Sequence, residues 1–169
     1  MTRARAVAAA KAFEETLEEL DLPDSTPELR DPKSLGRRAA LLAVAEAVWG
    51  KHLGPLIEAQ DVQNLLGVRS RQAVSDLARR GRLLALNASG GRKVYPAFQF
   101  AKGGRPFPEM IKVLEIFKEA VETPYTIASW FVSPQGLLED KTPAAWLQTG
   151  GDPTLLFEAA RRDAWRLAQ

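Results

Sequence analysis

The side chains of this chain best placed to do chemistry are Arg69, Ser70, Arg71, Gln72, Ser75 and Arg79, followed at short range by Arg82, Arg92 and Lys93. No nucleophile–base pair and no metal-ligand set can be made from them. Their chemistry is hydrogen bonding to polyanions. An arginine fork grips guanine at O6 and N7, a glutamine amide grips adenine at N6 and N7, and a serine hydroxyl serves either. Guanidinium and ammonium groups also neutralise phosphates. Arg71, Gln72 and Ser75 are therefore the candidate base readers, and Arg69, Arg79, Arg82, Arg92 and Lys93 the candidate phosphate contacts. Residues 69–105 hold nine Lys/Arg and one acid, Asp76, a net charge of +8, whereas residues 1–68 and 106–169 each come to −3. Charge concentrated in this way is the footprint of a nucleic-acid surface. The plain alternative is a solvated basic face on a helix pair that only packs.

Positioning these groups takes two helices and a hairpin. Residues 61–66 put Val62, Leu65 and Leu66 on one helical face. Residues 70–80 turn Val74 and Leu77 inward and leave Arg71, Gln72, Ser75 and Arg79 outward. Gly67 permits the tight turn between the helices, with Val68 plugging the corner. Ser70 is a natural N-cap for the second helix, and Gly81 stops it. Residues 83–86 and 92–95 flank NASGG, the composition of a β-hairpin. Residues 56–57 add a short strand beside it. Helix, turn, helix, hairpin is the order of a winged helix-turn-helix, whose second helix enters the DNA major groove.

Other chemistries are poorly served. The chain has no cysteine and one histidine, His52, so disulfides, thiolate metal sites and a His-pair acid–base site within one subunit are excluded. Adjacent acids such as Glu139 and Asp140 point apart in a loop and lack a partner base or nucleophile. A non-enzymatic protein that needs no cofactor is expected. No run of about 18 apolar residues exists, so no membrane partner is expected. The N-terminal MTRARAVAAAKAFEE meets Lys11 and Glu14 before an apolar core can form, which reads as cytoplasmic rather than secretory.

Three segments follow from composition. Residues 1–36 hold a helix with an apolar stripe (Val7, Ala10, Phe13, Leu17, Leu20), which either folds back on the chain's own core or meets a second subunit, and then a proline-rich linker over 21–36. Residues 37–105 hold the DNA-binding unit. Its leading helix, 37–52, carries Leu41, Leu42, Ala45, Val48 and Trp49, with Trp49 the anchor against the helix-turn-helix. The YPAFQF segment at 95–100 is open to two readings, base stacking on single strands or packing on the core. Residues 106–169 form a compact helical region with Met110, Val113, Leu114, Phe117, Ile127, Trp130 and Phe131 inward. Thr142–Pro143 and Asp152–Pro153 open two further helices, the first burying Trp146 and Leu147. Leu155, Leu156, Ala159, Ala160 and Leu167 are expected inward on the second. The fold class is mostly α, a winged helix-turn-helix with a small β-hairpin followed by a compact helical C-terminal domain.

The run IASWFVSPQGLLEDKTPAAWLQTGGDPTLLFEAARRDA, residues 127–164, resembles the C-terminal toxin-binding domain of the Xre/MbcA/ParS family of type II antitoxins. The resemblance rests on Trp130–Phe131, Pro134 with Leu137 and Leu138, Thr142–Pro143, Trp146–Leu147, and a Gly–Asp before the last helix. The family commonly has a glycine in the loop before Thr-Pro, where this chain has Asp140. The DNA-binding half is closer to an excisionase- or MerR-like winged helix than to the Xre type. The resemblance implies a RES-type toxin that consumes NAD, neutralised by direct binding, with the operon autoregulated. On matching positions it implies toxin contacts at Gln148, Thr149, Arg161 and Arg162. Double-stranded DNA, that toxin and a second copy of the chain are the expected partners. A stand-alone dimeric regulator using the C-terminal helices for dimerisation is the alternative.

Overall fold

The computed structural model describes residues 2–20, 31–121 and 123–169, and the backbone alone at positions 34, 38, 41–47 and 89. The described chain is mostly helical with a small three-stranded antiparallel sheet. It divides into two compact units, Met1–Leu42 and Ala43–Gln169.

In the first unit, helix α1 (Arg3–Glu19) buries none of its residues. Val7 and Leu20 are exposed, and Phe13 and Leu17 half-buried. Helix α2 (Pro32–Leu53) starts more than a turn before Arg37, where the sequence pattern places its beginning. Asp31 and Pro32 are the reason. The Asp31 carboxylate accepts the Lys33 N–H at 3.1 Å, and proline at the first helical position lacks only an N–H that no helix would have bonded. Residues 21–30 of the expected linker lie outside the described residues, as do the side chains of Leu41, Leu42 and Ala45.

The second unit is organised about one strand. β1 (Leu56–Glu58) leads into α3 (Ala59–Leu66) and α4 (Arg71–Arg79), and β2 (Leu86–Asn87) turns back into β3 (Lys93–Pro96). The sheet order is β1-β3-β2, with Ile57 opposite Tyr95 and Leu86 opposite Val94. Successive side chains of a strand point to opposite faces, so β3 feeds two cores. Tyr95 joins Val62, Val74, Leu83 and Phe100 in a small core under α3 and α4. Val94 joins Leu84 and Leu86 in a larger one, filled from α5 (Pro108–Phe117), α6 (Pro124–Val132), α7 (Pro143–Gln148) and α8 (Pro153–Leu167). Met110, Val113, Phe117, Phe131 and Leu156 are wholly buried there.

Gln99 lies between the two cores with no exposed surface. Its amide oxygen accepts the Leu84 N–H at 2.8 Å, and its nitrogen donates to the Leu84 and Pro96 carbonyls, each at 3.0 Å. A buried amide satisfied in this way locks the chain after β3 to the chain before β2. Of the two readings of YPAFQF, packing is the one observed: Tyr95 and Phe100 are core residues, and Phe98 stacks on Phe131 with ring centroids 5.3 Å apart.

The C-terminal helices open on the devices the sequence announces. The Thr142 hydroxyl accepts the Ala145 N–H at 3.1 Å, and the Asp152 carboxylate accepts the Thr154 N–H at 2.8 Å. Trp146 and Leu147 are buried as expected, while Leu167 is exposed. Trp49 rests on Tyr125 of α6, ring centroids 4.9 Å apart, and not on the α3–α4 pair, and His52 Nε2 lies 2.9 Å from Ser129 Oγ. No helix among the described residues is long and apolar enough to cross a membrane.

Candidate nucleic-acid interface

Local capping sets the angle of the α3–α4 pair. Glu58 and Asp61 form a capping box at the start of α3, with the Glu58 N–H donating to the Asp61 carboxylate at 3.2 Å. Gly67, at φ 65°, closes the helix in the left-handed region that only glycine enters freely. Arg69 stands exposed in the turn. Ser70 Oγ accepts the Ala73 N–H at 3.2 Å, so its hydroxyl is engaged as the cap of α4.

On α4, Val74 is wholly buried and Leu77 half-buried, which leaves Arg71, Gln72 and Arg79 exposed on the other side. Asp76 stands among them. Its Oδ1 accepts Gln72 Nε2 at 3.1 Å and Arg79 Nη2 at 2.6 Å, so the candidate base reader and the candidate phosphate contact share one carboxylate oxygen. Ser75 borders a groove beside α4. It is half-buried and lies toward Tyr95, which β3 carries underneath α4. The Tyr95 hydroxyl makes no well-formed hydrogen bond. Burial holds its pKa above the ordinary 10.0, with Ser75 acting the opposite way.

The hairpin supplies the flank. Its tip passes through Ser89–Gly91, where Gly90 and Gly91 both have φ of 73°. Arg92 is exposed, but its guanidinium pairs with Glu58 at 2.9 Å, tying the hairpin to the start of α3. Lys93 opens β3 and is exposed, as is Arg82 just beyond α4. Between α4, the hairpin and α5 runs this groove of about 490 Å³ that collects Arg79, Lys93 and Lys118, with no acid among its described lining residues. Lys118 is a groove cation the sequence pattern does not point to. It lies outside the basic stretch, and the turn at the end of α5 delivers it.

All four residues matched to toxin contacts are exposed, Gln148 and Thr149 at the end of α7. Gln148 Nε2 donates to the Phe100 carbonyl at 3.2 Å, and Thr149 Oγ1 donates to the Ala145 carbonyl at 2.9 Å. Both side chains are engaged by the chain's own backbone. Arg161 and Arg162 are exposed on α8, together with Trp165, which is 66% exposed.

A second groove of about 720 Å³ runs past Trp49, Tyr125, Trp130 and Asp163. The Asp163 carboxylate there takes the Trp130 Nε1–H at 2.8 Å and Arg166 at 2.9 Å, so both its oxygens have partners. Among the described residues no three His, Cys, Asp or Glu side chains gather as a metal would need.

Set against known protein families and curated proteins, the chain matches none. Among solved structures, one described as the NMR structure of Rv2175c is similar at 22% sequence identity and a TM-score of 0.48, over 68% of this chain and 79% of that chain. Likeness at that level carries no argument about activity or partners.

Proposed function

We propose that the chain is a non-enzymatic protein that binds double-stranded DNA, with residues 56–96 acting as a winged helix-turn-helix and α4 entering the major groove. The observation that carries this reading is the outward side of α4. Arg71 and Gln72 are exposed at its N-terminal end, where recognition helices meet base edges. Beside them runs a groove that gathers Arg79, Lys93 and Lys118, the chemistry of a phosphate track. Arg71 and Gln72 read bases. Arg69, Arg79, Arg82, Lys93 and Lys118 position the duplex. Arg92, paired with Glu58, serves the hairpin's placement first. Ser75, half-buried at the edge of the groove, is the third candidate base reader of α4.

Replacing Arg71 with alanine relaxes sequence preference by about 1–3 kcal/mol. Replacing Lys93 weakens all duplexes about equally. Gel-shift titrations on a selected and a scrambled duplex separate the two effects. Identical behaviour of both variants on both duplexes contradicts the assignment.

The resemblance of residues 127–164 to type II antitoxin domains supports a second activity of the same molecule: neutralising a RES-type toxin and repressing its own operon as a homodimer in the cytoplasm. Arg161 and Arg162, exposed beside Trp165 on α8, are the contacts we favour. Gln148 and Thr149 each donate to a backbone carbonyl, stay exposed and keep acceptor oxygens for the same contact. Coexpression with a RES-type toxin from an adjacent reading frame yields a stable complex, which Trp165→Glu disrupts. A toxin that purifies free and stays active contradicts this part. The stand-alone regulator then remains.

A further inference from the structure

We propose that Asp76 is a specificity-determining residue: its carboxylate fixes Gln72 and Arg79 in one geometry and at the same time lowers affinity for duplexes of the wrong sequence. The proposal rests on α4 being the DNA-reading helix. Asp76 is the one acid among nine bases between residues 69 and 105, and it lies on the side of α4 that carries the candidate contacts. For phosphate attraction alone, a carboxylate there is a liability, since it opposes the field the other side chains build. An exposed pair of this kind adds little to stability. What the geometry does provide is order.

Gln72 and Arg79 are one helical turn to either side of Asp76, and a single oxygen, Oδ1, holds both, at 3.1 Å and 2.6 Å. The bond to Gln72 uses one of the two amide N–H groups and leaves the other, with the amide oxygen, for the adenine edge. The bond to Arg79 uses one terminal nitrogen and leaves the rest of the fork for a phosphate. Long side chains held in place before binding lose less freedom when they bind. A base reader and a phosphate contact on the same anchor also move together, so a misplaced phosphate displaces the reader. Oδ1 thus joins register to readout.

The test compares wild type, Asp76→Ala and Asp76→Asn. The probes are the duplex that wild type enriches from a sequence-randomised pool and a scrambled duplex of equal composition. Asp76→Ala is expected to bind the scrambled duplex more tightly than wild type, because a repelling charge has gone. Its ratio of selected to scrambled affinity is expected to fall roughly fivefold or more. Asp76→Asn keeps an acceptor oxygen without the charge, so it gains the same scrambled-duplex affinity and keeps a larger share of the ratio. A ratio within about twofold of wild type for Asp76→Ala overturns the proposal. In that case selection by wild type leaves the DNA reading standing. If wild type enriches no sequence from the pool, the DNA reading and this proposal fall together.

Discussion

Tyr95 shows how a single side chain fills the space beneath α4. β3 buries its ring under α4 with no exposed surface, and Ser75 is turned toward it. A helical wheel puts Ser75 on the outward side; only the strand beneath shows that it is also half-buried over Tyr95. Gln99 was equally illegible. Among the aromatics of YPAFQF it reads as an interruption, yet it makes three buried hydrogen bonds. Arg71, Gln72 and Arg79 were legible because their outward placement needs nothing but the 3.6-residue period and a buried Val74. Tyr95→Phe removes a buried hydroxyl that has no well-formed bond, and is expected to be neutral or stabilising by up to about 1 kcal/mol in urea unfolding near pH 7. The pH dependence has a definite sign. The folded protein holds the Tyr95 proton more tightly than the unfolded chain does, so this contribution is intact below pH 10.0 and is lost as pH rises through the raised folded value. The advantage of Tyr95→Phe over wild type therefore widens in alkali. A constant difference across that range contradicts a buried, high-pKa Tyr95.

Among the elements, helix starts were the most legible part of the fold. Thr142–Pro143 and Asp152–Pro153 cap as their residue types demand. Asp31–Pro32 is the same device, hidden by the prolines and acids around it, which read as linker. The end of α7 depends on contact as well as on capping. Trp146 Nε1 donates to the Asp152 carbonyl at 2.9 Å, and the ring lies against Gly151, where an added Cβ would come within 2.3 Å of ring carbon. Gly151→Ala must push Trp146 out of the larger core or shift the start of α8. It is expected to lose about 1–3 kcal/mol in urea unfolding; an unchanged midpoint contradicts this packing. Asp140 adopts φ of 57°, the left-handed backbone that glycine favours.

At the scale of the molecule, the sequence separates charge and the fold separates cores. Of the bases in the +8 stretch of residues 69–105, Arg79 and Lys93 line the groove beside α4, and Lys118 from the C-terminal helices joins them. β3 carries Tyr95 to the core under α3 and α4 and Val94 to the core of α5–α8, so the basic surface is held by packing from both sides. That shared strand was beyond reach from periodicity alone, which sees a hairpin but not what covers its faces. On the DNA-binding proposal, the side of α4 bearing Arg71 and Gln72 meets the duplex. The most direct test is fluorescence anisotropy of a labelled duplex titrated with the full chain at several salt concentrations. About five phosphate contacts predict that the logarithm of the affinity falls against the logarithm of salt with a slope on the order of −4. No binding at low salt, or binding indifferent to added salt, contradicts the claim.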